Sequence, residues 1–152
     1  VAARAGVGWV AMHMKGEPPT MQQRPAYDDV VAEVRSFLLA RALAARAAGV
    51  DEVWIDPGIG FGKTPEHNLV LLRRLGELVA TGFPVVVGTS RKSFLGRLTP
   101  TAGGRPAPPD DRLEASVASA AWALHQGAAM VRVHDVAETV RAARLLRGAG
   151  AA

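Results

Sequence analysis

A parallel α/β fold is predicted by two observations. Short apolar runs recur along the chain, each followed by a polar, glycine-bearing cluster and then by a stretch of helical periodicity. No pair of runs is joined by a tight hairpin signal, so consecutive strands are connected by crossovers of helical length, the pattern of right-handed βαβ units. The polar clusters then all fall on the C-terminal side of one sheet, where parallel α/β proteins bind ligands.

Residues 9–14 (WVAMHM) are apolar apart from His13 and suit a first strand covered on both faces. Residues 15–25 hold Gly16, Pro18, Pro19 and Pro25, a loop too long and too polar to be a mere connector. From 27 to 48 the pattern is helical, with Asp28 and Asp29 at the positive end of the helix dipole and Val30, Val34, Leu38, Ala42 and Ala45 on one stripe. Gly49 is the expected stop.

Residues 53–56 form a short second strand that feeds the segment DPGIGFGK (56–63), where three glycines in five residues point to close backbone approach to a ligand. Thr64, Pro65 and Glu66 supply an N-cap, a proline at the first helical position and an acid in the first turn. The helix they open is expected to bury Leu69, Leu72, Leu75 and Val79 and to end at Gly82. Residues 84–88 (PVVVG) are the clearest buried strand.

The cluster TSRKS (89–93) follows, and 99–109, rich in Gly and Pro, is expected to be mobile. Asp111 with Glu114 reads as a capping box ahead of a helix with Leu113, Val117, Ala120, Ala121 and Leu124 on its apolar face, up to Gly127. Residues 130–133 are a last strand. Asp135 and Glu138 again have capping-box spacing, and the final helix fades near Gly148.

Composition narrows the function. At 152 residues, 49% hydrophobic and 21% charged, the chain can bury a core as one domain. No apolar run is long enough to span a bilayer, no leader precedes a cleavage site, and cysteine is absent, so a cytoplasmic protein is expected. The net charge of +4 is carried by scattered Lys and Arg with a single Tyr, which disfavours nucleic acid and suits a small anionic substrate. The chain opens on Val1 and a sequence like the tail of a helix, so a fragment is expected.

Taken singly, many of these residues have ordinary roles. Asp56 before Pro57 and Gly58 could merely cap a turn, although the following Gly-Phe-Gly-Lys reverses that reading. Lys63 reads as loop scaffolding that solvates the turn, and Arg91 with Lys92 as a basic pair of which at least one is functional. His13, His67 and His125 read as core histidines, and Met14, Met21, Trp9, Trp54 and Trp122 as core residues. No set of His and acids has zinc or iron spacing.

The segments MHMKGEPPTMQ (12–22), DPGIGFGK (56–63), GTSRKS (88–93) and RVHDV (132–136) together resemble, in order and spacing, the second half of dihydropteroate synthase. The resemblance runs over essentially the whole chain. It implies a parallel (β/α)8 TIM barrel, with residues 1–152 as the C-terminal half of the pterin-binding domain, about the last four β/α units, and the N-terminal half absent. The implied reaction joins 6-hydroxymethyl-7,8-dihydropterin diphosphate to p-aminobenzoate, giving dihydropteroate and diphosphate for folate biosynthesis.

By the same resemblance Met12, Asp56, Gly60, Phe61, Gly88 and Lys92 bind the pterin, and Phe61, Arg91 and Ser93 bind p-aminobenzoate. Arg132 and His134 take the diphosphate and, with Lys92, are the catalytic residues. Mg²⁺ is the implied cofactor, its ligand an Asn of the missing half; Asn68, the sole asparagine here, sits at a helix start. The partners implied are the small-molecule substrates, without nucleic acid or membrane, and the intact protein is expected to be a homodimer. Two other readings stand beside this one: a non-catalytic or truncated paralogue, and a pterin-binding methyltransferase relative. The isolated fragment, with strand edges open, is expected to be poorly stable, prone to dimerise or aggregate, and inactive.

Overall fold

In a computed structural model describing residues 1–150, helices α1 (Ala2–Ala5), α2 (Val30–Ala47), α3 (Pro65–Arg73), α4 (Gly76–Val79), α5 (Ser93–Leu98), α6 (Leu113–His125) and α7 (Val136–Ala149) alternate with strands β1 (Trp9–Met12), β2 (Val53–Asp56), β3 (Val86–Val87) and β4 (Met130–Val131). β1 pairs with β2 and β3 with β4, both parallel. The two pairs are joined where Ile55 bridges Val85 and its N–H donates to the Pro84 carbonyl at 3.0 Å. The strands thus lie side by side in chain order, and each passes to the next through helix, as the sequence pattern requires.

The strands are shorter than their apolar runs. β1 stops at Met12, although the His13 N–H still donates to the Asp56 carbonyl at 3.1 Å, and β3 and β4 keep two residues each. The first turn of α2 is fixed by Asp29, whose Oδ1 accepts from the N–H groups of Val31 and Ala32 at 2.9 and 3.1 Å. Val30, Val34, Leu38 and Ala42 are buried along the expected stripe. Thr64 closes a capping box with His67, so that histidine is a cap rather than a core residue.

Three expectations fail for physical reasons. The helix begun at Pro65 breaks after Arg73, because Arg74 turns to pair with Asp29 at 3.1 Å and Glu77 at 2.6 Å before α4 begins at Gly76. The break changes the buried phase: Leu71, Leu72, Leu75 and Leu78 are inside, whereas Leu69 is 43% exposed. Neither α6 nor α7 has a side-chain capping box, since α6 starts after Arg112 and the Asp135 carboxylate is bound elsewhere.

Trp9, Trp122, Met14 and His125 are exposed rather than core, and the face of α6 that packs inward is Ser116, Ala120 and Ala123 rather than Leu113. The indole N–H of Trp122 donates to the Leu72 carbonyl at 3.0 Å, so its ring lies across the α3 end with one face in solvent. The segment 99–109 is pinned at Ala107, which is buried and exchanges hydrogen bonds with Gly96 and Arg112. Among the described residues no helix is long and apolar enough to cross a membrane.

The changed phase gives a direct comparison. Leu71→Ala, which empties a fully buried position, should cost ~2–5 kcal/mol, and Leu69→Ala should cost less than about 1 kcal/mol, both read by urea denaturation. Equal losses would restore the uninterrupted helix.

Candidate functional site

The loop between β2 and α3 is built around a buried ammonium group. Lys63 Nζ donates to the carbonyls of Gly58 and Phe61 at 3.0 and 3.1 Å and lies 3.0 Å from Nδ1 of His13. Three donors thus meet three acceptors, which is what a buried lysine requires. Lys63 is therefore internal scaffolding, 3% exposed, and not a solvating residue. Burial pushes its pKa down to about 7, with Asp56 opposing the shift and Lys92 adding to it.

His13 is a satisfied core histidine, as its place in the apolar run suggests. Burial, with the Lys63 charge adding, pushes its pKa down to about 4. The neutral ring accepts from Lys63 and meets the Phe37 ring edge-on with centroids 5.1 Å apart. Gly58 is obligatory beside it: with φ 64°, a Cβ there would lie 1.8 Å from the His13 carbonyl oxygen.

Asp56 ends β2 and is 1% exposed. Its Oδ1 accepts from the Gly58 N–H at 2.7 Å, which is the turn cap, and its Oδ2 accepts from Nη2 of Arg132 at 3.1 Å. Arg132, just beyond β4, remains 59% exposed at its side chain. Its guanidinium runs over Gly88, where a Cβ would sit 3.1 Å from Nη2, so the bare backbone after β3 gives the arginine its path. Lys92 reaches in from the next loop, donating to the Ile59 carbonyl with Nζ 4.4 Å from the centre of the Phe61 ring.

Burial pushes the Lys92 pKa down to about 8, Asp56 opposing and Arg132 adding. Asp56, Gly60, Phe61, Gly88, Lys92 and Arg132 are thus brought together, with Met12 against Gly58 at their margin.

Arg91 and Ser93 are placed differently. Arg91 alone among the described non-glycine residues has a positive φ, 59°. That conformation is held from both sides: its N–H donates to Ser116 Oγ at 2.9 Å and its carbonyl accepts from Arg112 Nη1 at 2.7 Å. The Arg91 guanidinium is occupied by Asp135, at 2.6 and 3.2 Å, and holds that carboxyl below its ordinary range. Ser93 opens α5 and lines a cleft of ≈ 330 Å³ with Gln22, Arg24, Asn68 and Arg97, a cleft that Gly60 and Lys63 of the glycine loop also line.

His134 lies beside Ser90, whose Oγ is 2.9 Å from Nδ1 and accepts the His134 backbone N–H at 3.1 Å. Asn68 is the polar residue the sequence left without a role. It is 1% exposed, and its Oδ1 accepts from the Gly60 N–H at 2.8 Å. The long loop after β1 closes over the same turn, Tyr27 donating to the Gly62 carbonyl at 2.8 Å and Gln22 to that of Gly60. Among the described residues no three His, Cys, Asp or Glu gather as a metal cage.

An anion-ready guanidinium, an acceptor carboxylate and a half-buried ammonium around an aromatic suit a flat heterocycle carrying phosphate. Residues 1–134 match the family model described as pterin binding enzyme. The chain belongs to the pterin-binding enzyme family. It is 51% identical to dihydropteroate synthase of Mycobacterium leprae over 96% of this chain and 52% of that protein. It is 44% identical to the Escherichia coli dihydropteroate synthase over 95% of this chain and 50% of that one.

The Thermus thermophilus dihydropteroate synthase, solved in complex with 6HMPPP, superposes with a TM-score of 0.89 at 48% identity, over 97% of this chain and 57% of that one. A second structure of the Thermus protein contains 4-aminobenzoate. The chain spans about half the length of the curated relatives it matches.

The depressed pKa values of His13 and Lys63 bear on stability. Between pH 4 and 6.5 the unfolded chain takes up a proton at His13 that the folded chain refuses, so stability rises with pH across that window. For Lys63 the sign is the same between about 7 and 10.5. Urea midpoints should climb from pH 4 to 6.5 in the native chain and flatten in His13→Gln. An unchanged slope in the variant would assign the effect to other groups.

Proposed function

We propose that this chain supplies the later β/α units of a (β/α)8 barrel whose whole form is a cytoplasmic dihydropteroate synthase. Four parallel strands in chain order, with their polar loops on one side, support the barrel reading. The substrates are 6-hydroxymethyl-7,8-dihydropterin diphosphate and p-aminobenzoate. The observation that carries the reading is the convergence of Asp56, Lys92 and Arg132 from three successive strand ends, over the bare backbone of Gly60 and Gly88.

Each side chain answers one demand of the chemistry. The pterin edge presents N–H donors, and the Asp56 carboxylate, fixed at one oxygen by Gly58, accepts them. Lys92 gives one N–H to Ile59 and keeps others for the pterin carbonyl or ring nitrogen. The bond from the pterin methylene to the diphosphate oxygen breaks with its electron pair leaving on oxygen. Arg132, 59% exposed at its side chain, gathers that negative charge, and His134 is assigned a further donor.

The p-aminobenzoate amine then forms the new C–N bond from its lone pair and releases a proton. No side chain need act as base, since the aryl amine is already a nucleophile. Phe61 shapes the approach, and Ser93 and Arg91 are assigned to the p-aminobenzoate side. Arg91 acts there through the loop it braces, since its guanidinium is held by Asp135. Mg²⁺ belongs to ligands outside this chain, and no step above depends on it.

Given both substrates, the whole protein that carries this chain should release diphosphate and form dihydropteroate from labelled p-aminobenzoate. Pterin binding without product would favour a methyltransferase relative and end the synthase reading. Asp56→Asn should lower kcat/KM by ~100-fold or more. Because Lys92 loses its proton through about pH 8, kcat/KM should fall above that pH, and Lys92→Arg should move the fall to higher pH.

A further inference from the structure

Ser90 is assigned no role by the chemistry above, yet it is 5% exposed and touches a residue of the anion site twice. Its Oγ accepts the backbone N–H of His134 at 3.1 Å and lies 2.9 Å from that residue's Nδ1. The two contacts are not equivalent in proton terms. A serine oxygen has two lone pairs and one hydrogen. One lone pair is taken by the His134 N–H, and the hydroxyl hydrogen needs an acceptor.

Among the described residues the only group within hydrogen-bond distance that can accept it is Nδ1 of His134. Were Nδ1 to carry the ring proton instead, Oγ would accept twice and its own hydrogen would be buried without a partner. Burial thus selects one arrangement. From it we infer that Ser90 is a positioning residue: its hydroxyl donates to Nδ1 and holds neutral His134 as the Nε2–H tautomer. The inference rests on the diphosphate role given to His134 above, and it explains how the ring presents a donor at all.

Nδ1 is turned inward to the serine. Nε2 has no partner among the described residues, and His134 is exposed two positions along the chain from Arg132. A neutral imidazole of the other tautomer would offer a lone pair to a phosphate oxygen there, which repels it. The lock therefore leaves the Nε2–H donor of the neutral ring facing away from the serine. Threonine could make the same bond; alanine could not.

The tautomer is read directly by long-range ¹H–¹⁵N correlation spectra of the ¹⁵N-labelled whole protein that carries this chain, at pH 8, compared with its Ser90→Ala and Ser90→Thr variants. The native chain and Ser90→Thr should show His134 as the Nε2–H form, and Ser90→Ala a mixture of both forms. Inorganic diphosphate, titrated into the same samples, should bind Ser90→Ala about five- to tenfold more weakly than the native chain, with Ser90→Thr near native.

An Nδ1–H form in the native chain, or the same tautomer in Ser90→Ala as in the native chain, overturns the lock. A native chain that shows the Nε2–H form, lost in Ser90→Ala, but takes up no diphosphate leaves the lock in place and counts against the anion-site reading instead.

Discussion

The ammonium group of Lys63 is enclosed by the very loop that carries it, and the rest of the site hangs from that closure. Its hydrogen bonds to Gly58 and Phe61 fold the turn back on itself, and its contact with His13 fastens the turn to the strand next door. Removing a charge from water costs several kcal/mol, and hydrogen bonds to a charged group return ~1.5–3 kcal/mol each. Three of them are enough to hold the lysine inside. Asp56 stands at one end of the closed turn and Phe61 near the other, so the acceptor and the aromatic wall are set by one buried cation.

A second constraint acts one strand further on. The left-handed backbone of Arg91 would be unfavourable in isolation, and it persists because Ser116 and Arg112 grip both sides of the residue. The bend sends neighbouring basic side chains in opposite directions. Arg91 reaches to Asp135 on the outside, while Lys92 turns inward to Ile59 and Phe61. Two adjacent cations thereby acquire unlike environments without either repelling the other at close range.

The sequence is informative where local chemistry decides and silent where a distant partner does. The Val-rich run at 85–87, the Thr64 and Pro65 helix start and the Gly49 stop are local signals, and each holds. The break after Arg73 depends on Asp29, which lies 45 positions from Arg74. The helix start at Asp135 fails as a capping box because Arg91 takes its carboxylate from 44 positions away. Asn68 and Ser90 have no role that could be read along the chain, although Ser90 lies within the TSRKS cluster. Their partners, Gly60 and His134, became neighbours only through the turn and the sheet. The glycines of the 56–63 segment did announce close approach, and part of what Gly58 approaches is the chain's own His13 carbonyl.

The contact between Arg132 and Asp56 joins residues 76 positions apart. Closing so long a segment is entropically costly, and the cost grows only slowly once the intervening strands and helices have condensed. A chain with strands in sequential order can add each unit to the one before, so this contact can form only after the last strand has docked. The Arg132–Asp56 pair is therefore completed by the last strand and not by the glycine loop alone. Without β4 the chain would hold a complete glycine loop and yet no arginine partner for the Asp56 carboxylate.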